Sequence, residues 1–221
     1  MPAVPQTLPV TTHYCDEFML ILEKPAGLLS VPGRGPDKAD CLSARVQAAW
    51  PDALVVHRLD MATSGLIVMA RGAEMQRRLS LAFAERVVAK RYLAVVAGQL
   101  APPDNAASWG LIDLPIAADW PNRPLRIIDS ERGQASLTRW RVLAHDQDTD
   151  RTRLELEPVT GRSHQLRVHL QALGHPILGD ALYAPGAIAA AAPRLLLHAC
   201  RLRLAHPHGG QAMEFSSPAP F

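Results

Sequence analysis

The densest run of reactive side chains is His57-Arg58-Leu59-Asp60-Met61-Ala62-Thr63-Ser64-Gly65, set between apolar runs at 54–56 and 66–70. A loop leaving a buried strand is a common place for catalytic groups. His57, Asp60 and Ser64 supply the parts of a hydrolase triad. Triad members, however, normally converge from separate segments, and no G-x-S-x-G elbow is present. Asp60 also fits a bland role, capping the Thr63 or Ser64 amide in a turn. A second run, Thr160-Gly161-Arg162-Ser163-His164-Gln165-Leu166-Arg167-Val168-His169-Leu170, places Arg162 just before a helix. There it could pair with a carboxylate while helix-terminal amides face a phosphate, or it could simply hold two elements together. Lys90-Arg91-Tyr92 enters a strand, so Tyr92 is either an ordinary strand aromatic or a phenol over a substrate ring.

Other chemistries lack their residues. There is no G-x-G-x-x-G after a strand and no G-x-x-x-x-G-K-[ST], which removes dehydrogenase and P-loop readings. Among nine histidines, His164 and His169 are five apart and so face different ways, while His206 and His208 flank Pro207 without an acidic or cysteine ligand nearby. Cys15, Cys41 and Cys200 form no C-x-x-C, so no disulfide framework or zinc ribbon is signalled. Dinucleotide and P-loop cofactors and a metal site are therefore not expected on these spacings, and a reducing cytoplasm is the default.

Composition agrees with a folded chain. Of 221 residues 48% are hydrophobic and 20% charged, with a net charge of +2, which excludes a disordered polyelectrolyte and a protein that coats nucleic acid wholesale. Any nucleic-acid site must be a local patch. Lys24, Lys38 and Lys90 are the only lysines among 23 basic residues. Arginine suits bidentate phosphate recognition, but an Ala- and Pro-rich composition raises it without functional cause. The lead with Pro2, Pro5 and Pro9 is not a secretory signal, and no apolar run reaches the roughly 18 residues of a membrane span.

The elements that must carry these groups follow from periodicity. Residues 18–22 form a strand ending at Lys24-Pro25, 39–50 a short amphipathic helix, and 54–56 and 66–70 two strands. Met75, Leu79 and Phe83 mark a helix over 73–87, and 92–97 is the next strand. Between 99 and 133 prolines accumulate and periodicity fades, the mark of a functional loop or extended hairpin. Residues 151–157 alternate as a half-buried strand with a solvated charged face. Ser163 can cap a helix striped by Leu166, Leu170 and Leu173 and ended by Gly174. Residues 187–192 read as a surface segment and 195–204 as a last core strand. The class is α+β with a mixed, mostly antiparallel sheet, organised as a lead (1–16) and one catalytic domain (17–221).

Taken together, these motifs resemble the RluA family of pseudouridine synthases in order and spacing. The matching stretches are Lys24-Pro25-Ala26-Gly27-Leu28, His57 to Asp60 with Thr63-Ser64-Gly65, Lys90-Arg91-Tyr92, Gly161 to Arg167, Gly174 to Asp180, and Leu195 to Ala199. Asp119-Trp120-Pro121-Asn122-Arg123-Pro124 is similar to the branch acting on both a tRNA anticodon-loop uridine and a 23S ribosomal RNA hairpin uridine. The resemblance implies the pseudouridine synthase catalytic fold, with Asp60 as catalytic carboxylate, Tyr92 against the uracil assisting proton movement at C5, and Arg162 ion-paired with Asp60. It further implies Arg58 in the space left by a flipped base, Leu196 in the pocket wall, and substrate contacts from His57, Gln165 and Arg167. Trp120 would stack on RNA while Arg123 and Arg126 meet phosphates. With only a short lead where many members carry an S4-like module, a compact stem-loop is the expected substrate. No membrane or protein partner is expected. The rival readings are a non-catalytic RNA-binding protein on the same fold and a hydrolase using Ser64.

Overall fold

The computed structural model describes residues 10–33, 35, 38–103 and 109–221. The proline-bearing lead through Pro9, and Pro36-Asp37 of the loop at 31–37, lie outside the described residues. The first half contains β1 (Thr11–Cys15), β2 (Met19–Lys24), α1 (Leu42–Ala49), β3 (Ala53–Val55), β4 (Ser64–Arg71), α2 (Ala73–Ala84) and β5 (Ala89–Ala97). In β2 and β4 apolar residues run on without alternation because both faces are covered. Met19, Ile21, Leu66 and Val68 pack with Met75 and Leu79 of α2, whereas Leu20, Leu22, Ile67 and Met69 pack with Leu42 and Val46 of α1.

The second half contains β6 (Gly110–Asp113), β7 (Ile116–Ala118), β8 (Arg126–Ile128), β9 (Leu137–Asp146), β10 (Arg151–Pro158), α3 (Gln165–Ala172), α4 (Gly186–Ala190), β11 (Leu197–Ala205) and β12 (Ala212–Ser216). Among the described residues ten strands share one sheet, in the order β1-β2-β4-β11-β5-β10-β9-β6, with β3 on β4 and β12 on β11. Of these strands only β4 and β11 pair in parallel, opposing Ser64 to His198 and Gly65 to Ala199. Gly65 has φ +115°, and a Cβ there would lie 2.3 Å from the Ala199 carbonyl oxygen, so this seam requires glycine.

The α+β class with a mostly antiparallel sheet agrees with the sequence, and the departures are local. The outward face of β10 is not merely solvated: Glu157 pairs with Arg91 at 2.8 Å and Arg139 at 3.1 Å, and Glu155 pairs with Arg141 at 2.5 Å. Residues 186–190 form the short helix α4, which lies at the surface with no buried residue. Ser163 does not cap α3; the residue before that helix is His164, left-handed at φ 59°, with no side-chain cap. Within 99–133, β7 and β8 make a separate two-stranded hairpin. Ile116, Leu125 and Ile128 of this arm pack with Val168 of α3 and with Tyr183. No helix among the described residues is long and apolar enough to cross a membrane.

Candidate active site

Asp60 lies on the loop joining β3 to β4, and both neighbouring residues are clamped. The Ser30 hydroxyl donates to the Leu59 carbonyl at 2.8 Å and accepts from the Leu59 N–H at 3.1 Å. On the other side, the Lys24 ammonium donates to the carbonyls of Pro25 (2.8 Å), Leu28 (2.7 Å) and Met61 (3.0 Å), and the Gly27 N–H joins it on Met61 at 2.8 Å. Lys24 is wholly buried. Desolvation brings its pKa down to about 7, opposed by the charge of Asp60 and aided by Arg194. The bland capping role for Asp60 is not taken up, because the Thr63 amide bonds the backbone oxygen of Asp60 rather than its carboxylate.

The carboxylate opens into a cavity of about 460 Å³ lined by residues of the 57–63 loop, the end of α2, β5 and the 158–167 segment. Asp60 is the one acidic residue in that lining, which also carries Arg58, Arg86, Lys90, Arg162 and Arg167. Its arginine partner corrects the sequence expectation. Arg167, not Arg162, meets Asp60, with Nη1 3.5 Å from Oδ2. The Arg162 guanidinium instead turns toward the Ala135 carbonyl at 3.4 Å. The reason is geometric: Arg162 precedes α3, whereas Arg167 lies within it and is aimed by a buried bidentate bond to Asp180 at 2.6 and 2.8 Å. Arg167 is therefore committed to carboxylates rather than free for substrate. His164 also faces the site, with Nε2 3.9 Å from Asp60 Oδ1.

Tyr92, on β5, lines the same cavity, and its hydroxyl has no hydrogen-bond partner among the described residues. Burial raises its pKa, with the charges of Asp60 and Cys200 adding to the effect, so the phenol keeps its proton. Arg58 is exposed at the rim, and its Nη2 donates to Ser163 Oγ at 3.3 Å.

Leu196 departs from its expected place in the pocket wall, whereas Gln165 and His57 do border the cavity. Leu197 rather than Leu196 lines the cavity, although both leucines belong to the same apolar core cluster. Gln165 borders the cavity, but its amide serves the fold: Oε1 accepts from Thr160 Oγ1 and the Arg162 N–H, and Nε2 donates to Leu137 and Thr138. His57 also borders it with a committed ring, stacked on Phe83 at 4.3 Å and accepting the Val68 N–H at 3.1 Å. Burial pushes its pKa down to about 3, with Lys90 adding to the effect, so the ring is neutral. The hydrolase triad does not assemble, because Ser64 is buried against His198 Nδ1 at 2.8 Å, away from His57.

A second cavity of about 390 Å³ adjoins the first, with Arg162 bordering both. Ile116, Ala117 and Ala118 form an apolar side, and Trp120, Arg126 and Arg132 also line it. Trp120 is 70% exposed, with the Arg123 guanidinium 3.4 Å from its ring centre. Arg126 Nε is buried without a hydrogen-bond partner among the described residues. Sequence reasoning missed Lys24 and Ser30 as supports of the Asp60 loop. A lysine closing the apolar run Met19–Leu22 was the available signal for the first.

A sheet of this topology with one carboxylate in a basic cavity belongs to a known class. The chain is a member of the RNA pseudouridylate synthase family, whose model matches residues 18–172. It is 49% identical over 208 residues to the dual-specificity RNA pseudouridine synthase RluA of Yersinia pestis, covering 94% of this chain and 98% of that one. With the same-named protein of Escherichia coli K12 it is 48% identical, covering 94% and 92%. The solved structure of human RNA pseudouridylate synthase domain containing 1 superimposes with a TM-score of 0.77 at 28% identity, covering 96% of this chain and 84% of that one. Human RNA pseudouridylate synthase domain containing 4 shares the fold, with a TM-score of 0.74 at 24% identity over 95% and 88% of the two chains. The chain is thus an RluA-type RNA pseudouridine synthase, an isomerase.

Proposed function

We propose that the enzyme converts loop uridines of two compact RNA hairpins, a tRNA anticodon stem-loop and a 23S ribosomal RNA hairpin, by everting the uridine into the Asp60 cavity. The observation that carries the reading of the site is the lone carboxylate, held at both flanking residues and surrounded by cationic groups and a protonated phenol. In the isomerisation the N1–C1′ bond breaks, the base turns in place, C5 bonds C1′, and the C5 proton leaves while N1 gains one. Atoms and mass are unchanged. Asp60 is the catalytic carboxylate, Arg167 balances its charge, and Tyr92 packs on the uracil and assists at C5.

The naming of the bacterial relatives as dual-specificity enzymes supports two RNA targets. The second cavity supports contact beyond the target base, with Trp120 stacking and Arg123 and Arg126 on phosphates. Arg58 fills the gap that an everted base leaves. Residues 17–221 act as one catalytic unit, with 99–133 supplying the RNA-contacting arm, and a cytoplasmic location suits these substrates. Incubating wild-type protein with each hairpin, followed by carbodiimide blocking and mass measurement, tests the assignment. A blocked, mass-silent uridine in both is expected; conversion of neither would overturn it.

A further inference from the structure

His164 sits beside Asp60 in an unusual backbone state. Its left-handed φ of 59° and ψ of 14° are adopted by few residues other than glycine, asparagine, aspartate and histidine, and such states persist where the surroundings over-determine them. Here the surroundings also fix the ring. The Arg126 backbone N–H can only donate, and it donates to the Tyr183 hydroxyl at 2.9 Å. The phenol has a single proton, and the one acceptor beside it among the described residues is His164 Nδ1, at 2.6 Å. Nδ1 therefore accepts, and a neutral imidazole must carry its hydrogen on Nε2, the nitrogen facing Asp60. Burial favours that neutral form, lowering the His164 pKa; the charge of Asp60 opposes, and Arg167 and Arg126 add to the lowering. Tyr183 is itself held, its N–H bonded to Asp180 at 3.1 Å and its ring 4.9 Å from the Arg167 guanidinium.

We propose that His164 is a positioning residue, its Nε2–H form set by Tyr183 and directed at Asp60 Oδ1 while Arg167 takes Oδ2, so that the carboxylate is oriented before the uridine arrives. The 3.9 Å approach is longer than a hydrogen bond. Such contacts in a free enzyme commonly tighten only once substrate is bound. The proposal rests on the reading of Asp60 as the catalytic carboxylate.

The test uses Tyr183→Phe, which removes one oxygen, together with His164→Asn, which tolerates the left-handed backbone but is too short to reach Asp60. Nitrogen NMR of the free wild-type protein should show His164 protonated on Nε2 alone, and Tyr183→Phe should admit the Nδ1-protonated form. With a hairpin substrate, Tyr183→Phe should lower kcat about tenfold, the scale of one hydrogen bond to a charged group, with KM within about twofold. His164→Asn should lower kcat at least as much, and adding Tyr183→Phe to it should change nothing further. His164→Gln, which restores an N–H donor, should recover part of the loss. Wild-type His164 protonated on Nδ1, additive losses in the double variant, or an effect confined to KM would each overturn the proposal. Retention of full turnover by Asp60→Asn would look different: it would remove the underlying reading, and the proposal with it, while leaving the NMR result intact.

Discussion

The Arg167 guanidinium serves two carboxylates at once, holding both oxygens of Asp180 through Nε and Nη2 while Nη1 stands 3.5 Å from Asp60. Asp180 in turn accepts the backbone N–H groups of Leu182 and Tyr183. The charge beside the Asp60 loop is therefore anchored in the packing under α3, not in a surface arginine. Both partners are nearly inaccessible, with side chains 4% and 1% exposed. Removing one leaves the other buried and unpaired. Arg167→Ala should destabilise the fold by about 3–5 kcal/mol, whereas Arg162→Ala should cost within about 0.5 kcal/mol. Denaturant unfolding of the two variants checks this, and equal losses would contradict it.

Asp60→Asn should abolish isomerisation while preserving the fold and hairpin affinity. The flanking clamps act on backbone groups of Leu59 and Met61, so the carboxylate can lose its charge without releasing the loop. Turnover near wild type, measured by tritium release from C5-labelled uridine, would contradict the assignment.

Tyr92→Phe should reduce product formation sharply with little change in binding, because stacking survives the loss of one oxygen that bonds no group among the described residues. Single-turnover kinetics at saturating RNA separate the two effects. Unchanged turnover would leave Tyr92 as part of the cavity wall alone.

Lys24 predicts a pH signature. Its folded pKa of about 7 lies below the ordinary 10.5, so between these values the unfolded chain holds more protons than the folded one. The unfolding free energy should then rise as pH increases through that window, flattening below about 7 and above 10.5. Lys24→Met should lose this rise, as well as costing about 1–3 kcal/mol for the carbonyls left without a donor. Comparing the slopes of stability against pH for the two proteins is the measurement, and parallel slopes would refute the assignment.

The β7–β8 arm should be probed by point substitutions. Replacing 113–126 wholesale would also strip Ile116 and Leu125 from their packing near α3. Trp120→Ala and Arg126→Ala should each weaken hairpin binding. Only Arg126→Ala should flatten its salt dependence, the log–log slope falling by roughly 0.7 to 0.9 for each phosphate left without its cation. Titrations at several salt concentrations would show this; unchanged affinity in both variants would take the arm out of RNA recognition.

What the sequence reveals and conceals follows from how local each feature is. The loop bearing Asp60 is legible because its polar residues are contiguous between two apolar runs. The partner arginine is not, since Arg162 and Arg167 lie on the same motif and the choice between them depends on where Asp180 anchors α3. Lys24 is hidden because a lysine closing a strand reads as a surface residue, and only the fold brings three carbonyls around it. Strand β9, Leu137–Asp146, escapes periodicity because its buried positions include Thr138 while Leu143 is exposed, so apolarity does not follow burial along it.

The parallel seam between β4 and β11 also bears on when activity can arise during synthesis. The strand that leaves the Asp60 loop finds its lateral partner 134 residues later, where Ser64 meets His198. Residues 197–205 enter the middle of the sheet, between β4 and β5, rather than adding to an edge. At roughly 5–20 residues per second the ribosome needs on the order of ten seconds to cover that separation. Until β11 is made, β4 and β5 lack the strand that lies between them. Completion of the sheet around the Asp60 loop therefore depends on a late-made strand, and a contact of such long range is expected to slow folding.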